Sequence, residues 1–146
     1  LEILDMSYSF SCIGDETDEM QGEELGSCLR KNEKLHSLMA AGNCLSSHVV
    51  RMLSESIAWH PSLSTLDLQD NNISDDGILY LTQGLEINPT QMRSVNVSNN
   101  PMSSTGSGSL LHAAVQDNSM LDELYLADAS LTSIPSNTLA LLQLCR

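Results

Sequence analysis

Apolar residues recur along the chain in one short pattern. LHSLMAAGNCL from Leu35, LSTLDLQDNNI from Leu63, MRSVNVSNNPM from Met92 and LDELYLADASL from Leu121 place them at positions 1, 4 and 6. The starts stand 28, 29 and 29 residues apart. LEILDMSYS from Leu1 opens the same way and is followed by a longer interval of 34. Position 9 is Asn43, Asn71 and Asn100, with Ser9 and Ala129 in its place at the two ends. Self-similarity at a fixed period is the signature of a stacked repeat architecture. Alternation over a few residues marks the strands, which the pattern predicts as parallel at Ile3–Asp5, Ser37–Met39, Thr65–Asp67, Ser94–Asn96 and Glu123–Tyr125.

After each strand the period changes. Val49, Leu53 and Ile57 follow Leu45, and Ile78, Leu81 and Leu85 follow Ile73, both at the spacing of one helix face. Leu110 and Ala114 continue the next unit, and Leu139 and Leu142 the last. Ser46, Ser74 and Ser103 stand at N-cap positions, where a side-chain oxygen satisfies a free backbone donor. Asp75 and Asp76 follow in a first turn favoured for negative charge by the helix dipole. His60-Pro61 and Asn88-Pro89 end two helices, because proline disfavours a helical residue before it. Each unit is therefore a strand, a turn and a helix.

This pattern resembles the leucine-rich repeat, L-x-x-L-x-L-x-x-N-x-L, carried most cleanly by Leu63, Leu66, Leu68, Asn71 and Ile73. The 28–29-residue length and helical second half look like the ribonuclease-inhibitor-like subclass. The resemblance implies an α/β solenoid, curved, with parallel strands on the concave face and helices on the convex face. It runs over residues 1–146 as a single array of five repeats, starting near 1, 35, 63, 92 and 121. Because strands and helices reach both ends of the sequence, the array reads as a piece of a longer protein. The consensus asparagines are expected to turn inward and bond the backbone of adjacent turns.

The long first interval breaks the pattern. Asp15, Glu16, Asp18, Glu19, Glu23 and Glu24 precede the first basic side chain, Arg30. Residues 10–24 read as an acidic loop insertion, either simply solvated or a docking loop for a basic partner.

Charge narrows the partners. Six basic against 19 acidic residues leave a net charge of −13 in 146 residues. Nucleic-acid binding depends on Lys and Arg neutralising phosphate, and an anionic membrane surface repels the same sign. No apolar run reaches the length of a membrane span, and Glu2 and Asp5 stand where a signal peptide would be basic. The expected partner is a protein with a basic patch, with no nucleic acid, membrane or small-molecule substrate. Cys12, Cys28, Cys44 and Cys145 are widely spaced with no C-x-x-C pair, which reads as four reduced thiols in an intracellular, cytoplasmic protein.

Catalytic and metal signals are weak. Gly106-Ser107-Gly108-Ser109 matches neither a nucleophile elbow nor a phosphate loop, and reads as a loose turn entering a helix. Asp70, Asn72, Ser74 and Asp76 alternate like a calcium loop, but Asp75 replaces its glycine and Leu81 its bidentate Glu. Cys44 and His48 make one C-x-x-x-H pair where structural zinc needs two. The chain reads as no enzyme, with no cofactor, metal or catalytic residue.

The resemblance carries the concave face onto particular residues. Asp5, Met39, Asp67, Asn96 and Tyr125 form its central column, with Glu123 beside it and Tyr8, Gln69, Asp70, Asn99 and Asp128 just beyond. These are the expected partner-binding residues, with tyrosine as a favoured anchor. The expected function is a protein–protein interaction scaffold. One alternative is a GTPase-activating regulator of a small GTPase, an activity found among proteins of this subclass. The other is an architectural subunit of a large cytoskeletal or ciliary assembly.

Overall fold

The structure, a computed structural model, describes residues 1–9, 18–87, 92–103, 105, 106, 108, 110 and 121–127. Its elements run β1 (Ile3–Asp5), α1 (Asp18–Lys31), β2 (Ser37–Met39), α2 (Ser47–Ile57), β3 (Thr65–Asp67), α3 (Asp75–Ile87), β4 (Ser94–Asn96) and β5 (Glu123–Tyr125). The five strands are those the pattern predicts, parallel and side by side in chain order. Leu4, Leu38, Leu66, Val95 and Leu124 align across the sheet. With a side-chain period of two, this register turns one apolar row inward and both its neighbours outward.

The core lies between the sheet and the helices. Leu38, Leu66 and Val95 from the strands meet Leu45 and Ile73 from the turns, and Leu53, Leu81 and Leu85 from the helices. It is aliphatic, as a repeat demands, since each layer must accept the same shape from both neighbours. α2 packs against α1 on one side and α3 on the other. Ser46 caps α2 by accepting the Val49 amide at 3.4 Å. In the next unit the capping chemistry runs between repeats: Ser74 N donates to Ser47 Oγ at 3.0 Å, and Ser103 N to Asp75 Oδ1 at 2.7 Å.

The first interval departs from expectation. α1 begins at Asp18, so residues 18–24 of the segment read as a loop are helical, while 10–17 lie outside the described residues. Leu25 and Leu29, one turn apart, are buried in the core and hold this helix to the array. Gly26 allows close approach, because a Cβ there would stand 3.1 Å from Ser56 Oγ of α2. Arg30 Nη1 donates to the same Ser56 hydroxyl at 2.9 Å. Thr105, Gly106, Gly108 and Leu110 are helical, so the helix that the turn was expected to enter is under way by Thr105. The expected helix after Leu131 lies outside the described residues.

The asparagines do turn inward. Asn71 Oδ1 accepts the amides of Asn43 and Leu45 at 3.0 and 2.9 Å, and its Nδ2 reaches the carbonyls of Ala40 and Leu68 at 3.0 and 2.9 Å. Asn100 repeats this one unit on, with Oδ1 on the Ile73 amide at 3.0 Å and Nδ2 on the Leu68 and Val97 carbonyls at 2.9 Å. Asn43 bridges back to the Met6 carbonyl at 2.9 Å and accepts Ser9 N at 2.8 Å. Where the backbone leaves the strand, its polar groups would otherwise be buried unpaired.

Candidate functional site

The register places Asp5, Met39, Asp67, Asn96 and Tyr125 in one line across the sheet, on the face opposite the core. Asp5 and Tyr125 are exposed, and the three central residues are half-buried. Three of them also serve the fold. Asp5 Oδ1 accepts the Ser7 amide at 3.0 Å, Asp67 Oδ1 the Gln69 amide at 3.0 Å, and Asn96 Oδ1 the Ser98 amide at 3.1 Å. Each is a side chain bonding its own backbone two residues on, which starts the turn out of the strand. The Ser7 backbone bond holds the Asp5 carboxyl below its ordinary value of 3.8. Glu123 is exposed and accepts a bond from Ser94 Oγ at 3.0 Å.

The residues just past the strands form a second line. Tyr8, Gly42, Asp70 and Asn99 occupy position 8 of successive repeats and share a left-handed backbone, with φ of 55°, 65°, 53° and 56°. The reason is the ladder. In this conformation the four amides donate to the carbonyls of Ala41, Gln69, Ser98 and Ala127 at 2.7, 2.9, 3.0 and 2.8 Å, so inter-repeat bonding runs on past the strands. Gly, Asp and Asn adopt this region most readily, whereas a bulky Tyr seldom does.

Tyr8 is held by what it reaches. Its ring lies over Gly42, where any Cβ would collide with it, and its hydroxyl donates to Asp70 Oδ2 at 3.2 Å. Gln69 Nε2 donates to the same oxygen at 2.8 Å, and Asn99 Nδ2 to Asp70 Oδ1 at 2.8 Å. Asn96 Nδ2 extends the chain to Gln69 Oε1 at 3.0 Å. Tyr8, Gln69, Asp70, Asn96 and Asn99 are thus joined in one polar network spanning four repeats. The amide donors of Asn99, then Gln69, keep the Asp70 carboxyl below 3.8. The bond to Asp70, then its charge, pushes the Tyr8 phenol above 10.0.

Asp128 lies outside the described residues. Among the expected site residues, Met39 and Tyr125 are the two of the central column that bond no turn amide in this way. Sequence reasoning placed the columns correctly but missed the network. The signal available was position 8 itself, where Gly42, Asp70 and Asn99 are all residue types tolerant of the left-handed region.

The cysteine expectation is corrected. Cys44 is disulfide-bonded, and its partner lies outside the described residues. Cys28 is a free, exposed thiol. Sequence spacing misled here because cysteines distant along the chain become neighbours once repeats stack. The thiols therefore carry no argument for a reducing compartment. His60 serves structure: its Nδ1 accepts the Leu63 amide at 3.0 Å, which leaves Nε2 to donate to the Asn32 carbonyl at 3.2 Å. Among the described residues no three His, Cys, Asp or Glu side chains are placed to share a metal ion, and no helix is long and apolar enough to cross a membrane.

Comparison with known proteins agrees with this geometry. A family model described as Leucine Rich repeat matches residues 60–81, the stretch that carries β3, Asn71 and the start of α3. Among solved structures, one described as Leiomodin-1 Actin-Binding Site 2 (ABS2) superposes with a TM-score of 0.76. It is 14% identical, over 98% of this chain and 77% of that one. At that identity the likeness is one of fold. With five parallel strands in register, inward asparagines at the three middle turns and helices stacked behind, the chain has the α/β solenoid fold of leucine-rich repeats.

Proposed function

We propose that the chain is a protein-binding scaffold rather than an enzyme, and that it takes its partner on the concave strand face. The observation that carries this reading is the Tyr8–Asp70–Asn99 network with its neighbours. A surface whose polar side chains are already held in place loses little conformational freedom on binding, which is the advantage of preorganisation. Met39 and Tyr125 flank it with adaptable apolar area. The net charge of −13 favours a partner with a basic patch, over nucleic acid or an anionic membrane. Repeat length and the full helices α2 and α3 support placement in the ribonuclease-inhibitor-like subclass.

A second reading has one specific support. The structural neighbour is described as an actin-binding site, so actin is the first partner to try, and a cytoskeletal location the corresponding expectation. The test is binding kinetics with actin, run at several salt concentrations. Met39→Ala and Tyr125→Ala should each weaken the complex by about 1–2 kcal/mol, mainly through faster dissociation. Absence of actin binding removes the cytoskeletal reading. A partner that binds both variants with unchanged dissociation removes the concave site.

A further inference from the structure

The β1 end of the solenoid is built differently from its middle. Asp70 and Asn99 have a repeat on either side, whereas β1 pairs with β2 alone. Ile3 is 61% exposed and Leu4 only partly buried, while Leu38 and Leu66 of the same row are fully covered. Stacking on one side buries less apolar area, so such a repeat is held more weakly than an internal one. Yet this repeat carries Tyr8, the bulky member of the left-handed column. That conformation costs energy for any side chain with a Cβ, and the Tyr8–Asp70 bond is exposed to water.

A covalent tie stands beside it. Cys44 is disulfide-bonded and Cys28 is free, which leaves Cys12 and Cys145 as candidates for the partner. Tyr8 N donates to the Ala41 carbonyl at 2.7 Å and Ser9 N to Asn43 Oδ1 at 2.8 Å, so the chain passes Ser9 next to the residue before Cys44. Cys12 follows three residues later, a reach of up to about 10 Å. A disulfide needs Cα atoms within about 7 Å. Cys145 belongs to the fifth repeat, three strands from β2, which is about 14 Å along the sheet. By repeat position it aligns with Trp59 and not with Cys44. Cys44 itself stands at φ 54°, a left-handed backbone that its counterpart Asn72 does not share.

We propose that Cys44 pairs with Cys12 and that this disulfide is a redox-controlled clasp on the first repeat. Oxidised, it pins the exit of β1 on the second repeat and keeps the Tyr8 ring over Gly42. Reduced, it lets Tyr8 and Ser9 leave the ladder. Reduction moves two electrons and two protons from a dithiol, which becomes a disulfide, onto the two cysteine sulfurs, which become thiols. Because α1 lies between the two cysteines in the chain, the same bond closes a ring around it. Neither state needs a bound partner, so the clasp stands or falls apart from the concave-binding reading.

Peptide mapping tests the pairing. The full chain is released into an alkylating agent that blocks free thiols, then cut with trypsin and a Glu-specific protease. Residues 3–16, with Cys12, should appear joined to residues 35–51, with Cys44, and should separate in dithiothreitol. Residues 35–51 joined to 124–146 would overturn the assignment in favour of Cys145. Alkylation of both Cys12 and Cys44 would overturn it too. Hydrogen exchange tests the clasp. In dithiothreitol, and in Cys12→Ser, the Tyr8 and Ser9 amides should exchange about tenfold faster or more. The Leu68 and Val97 amides, bonded between inner repeats, should keep their rates, and Cys28→Ser should change none of the four. Equal Tyr8 and Ser9 rates in oxidised and reduced wild-type protein would overturn the clasp. Equal acceleration at Leu68 and Val97 would overturn it as well, by making the disulfide a support of the whole array.

Discussion

The two faces of the solenoid solve the same stacking problem with opposite chemistry. On the strand side, repeats are joined by directed bonds: the asparagine ladder, the left-handed column and the Tyr8–Asp70 network. On the helix side they are joined by shape, with Gly84 letting α3 close on Ser54 of α2 and Gly26 letting α1 close on Ser56. Directed bonds hold register and leave polar groups satisfied, so that face is rigid and its exposed groups are largely committed to each other. Shape packing leaves a seam wherever neighbouring helices differ in bulk, and the groove between α2 and α3, lined by Trp59, Tyr80, Gly84 and Ile87, is such a seam. Preorganisation belongs to the first face and unfilled apolar volume to the second.

The sharpest test of this contrast is Asn71→Ala. It removes the acceptor for two buried amides and the donor for the Ala40 carbonyl, all in the preceding repeat. Unmet backbone groups cost about 1–3 kcal/mol each, so a loss of about 3–6 kcal/mol is expected in chemical denaturation. Ile87→Lys on the opposite face should change stability by less than about 0.5 kcal/mol. Leu66→Ala should follow at about 2–5 kcal/mol, because its cavity opens in the row shared by every strand. A smaller loss for Asn71→Ala than for Leu66→Ala would reverse the claim that directed bonds dominate the strand side.

Gly42→Ala probes the left-handed column. The methyl group would meet the Tyr8 ring at a position whose φ is 65°. A loss of about 1–2 kcal/mol is expected, with the Tyr8–Asp70 bond broken and visible as shifted amide resonances at Asp70 and Asn99. An unchanged spectrum would mean that Tyr8 is not latched across three repeats.

The smallest effect is that of pH. The Asp70 carboxyl sits below its ordinary 3.8, so the native state binds fewer protons there than the unfolded chain. The associated stabilisation is present above that ordinary value and fades as pH falls through the lower native one. Tyr8 works in the opposite direction: its raised pKa makes the contribution present below 10.0 and lost as pH climbs beyond it. Titration of the Asp70 and Tyr8 side chains by NMR should find both shifts; the Asp70 shift should shrink in Asn99→Ala, and the Tyr8 shift in Asp70→Asn. Both groups are exposed, so solvent screening keeps the effect on global stability small.

Strands, register, inward asparagines, α2 and α3 were all legible along the chain. Local periodicity decides which face of a three-residue strand turns inward, and the repeat spacing then aligns Asp5 with Met39, Asp67, Asn96 and Tyr125. α1 was obscured because its acidic start and two glycines hide a two-leucine stripe, Leu25 and Leu29, that only contact with α2 stabilises. The Cys44 disulfide could not be read from spacing, since stacking brings distant segments together. The latch of Tyr8 on Asp70 joins residues 62 apart, and the Trp59 groove depends on how α2 and α3 meet over Gly84. Both arise between repeats, where side-chain shape and backbone approach are settled by packing. The sequence by itself determined the repeated unit, because a unit's fold follows from local pattern. Only the tertiary structure decided what each face presents, because that depends on which atoms of neighbouring units meet.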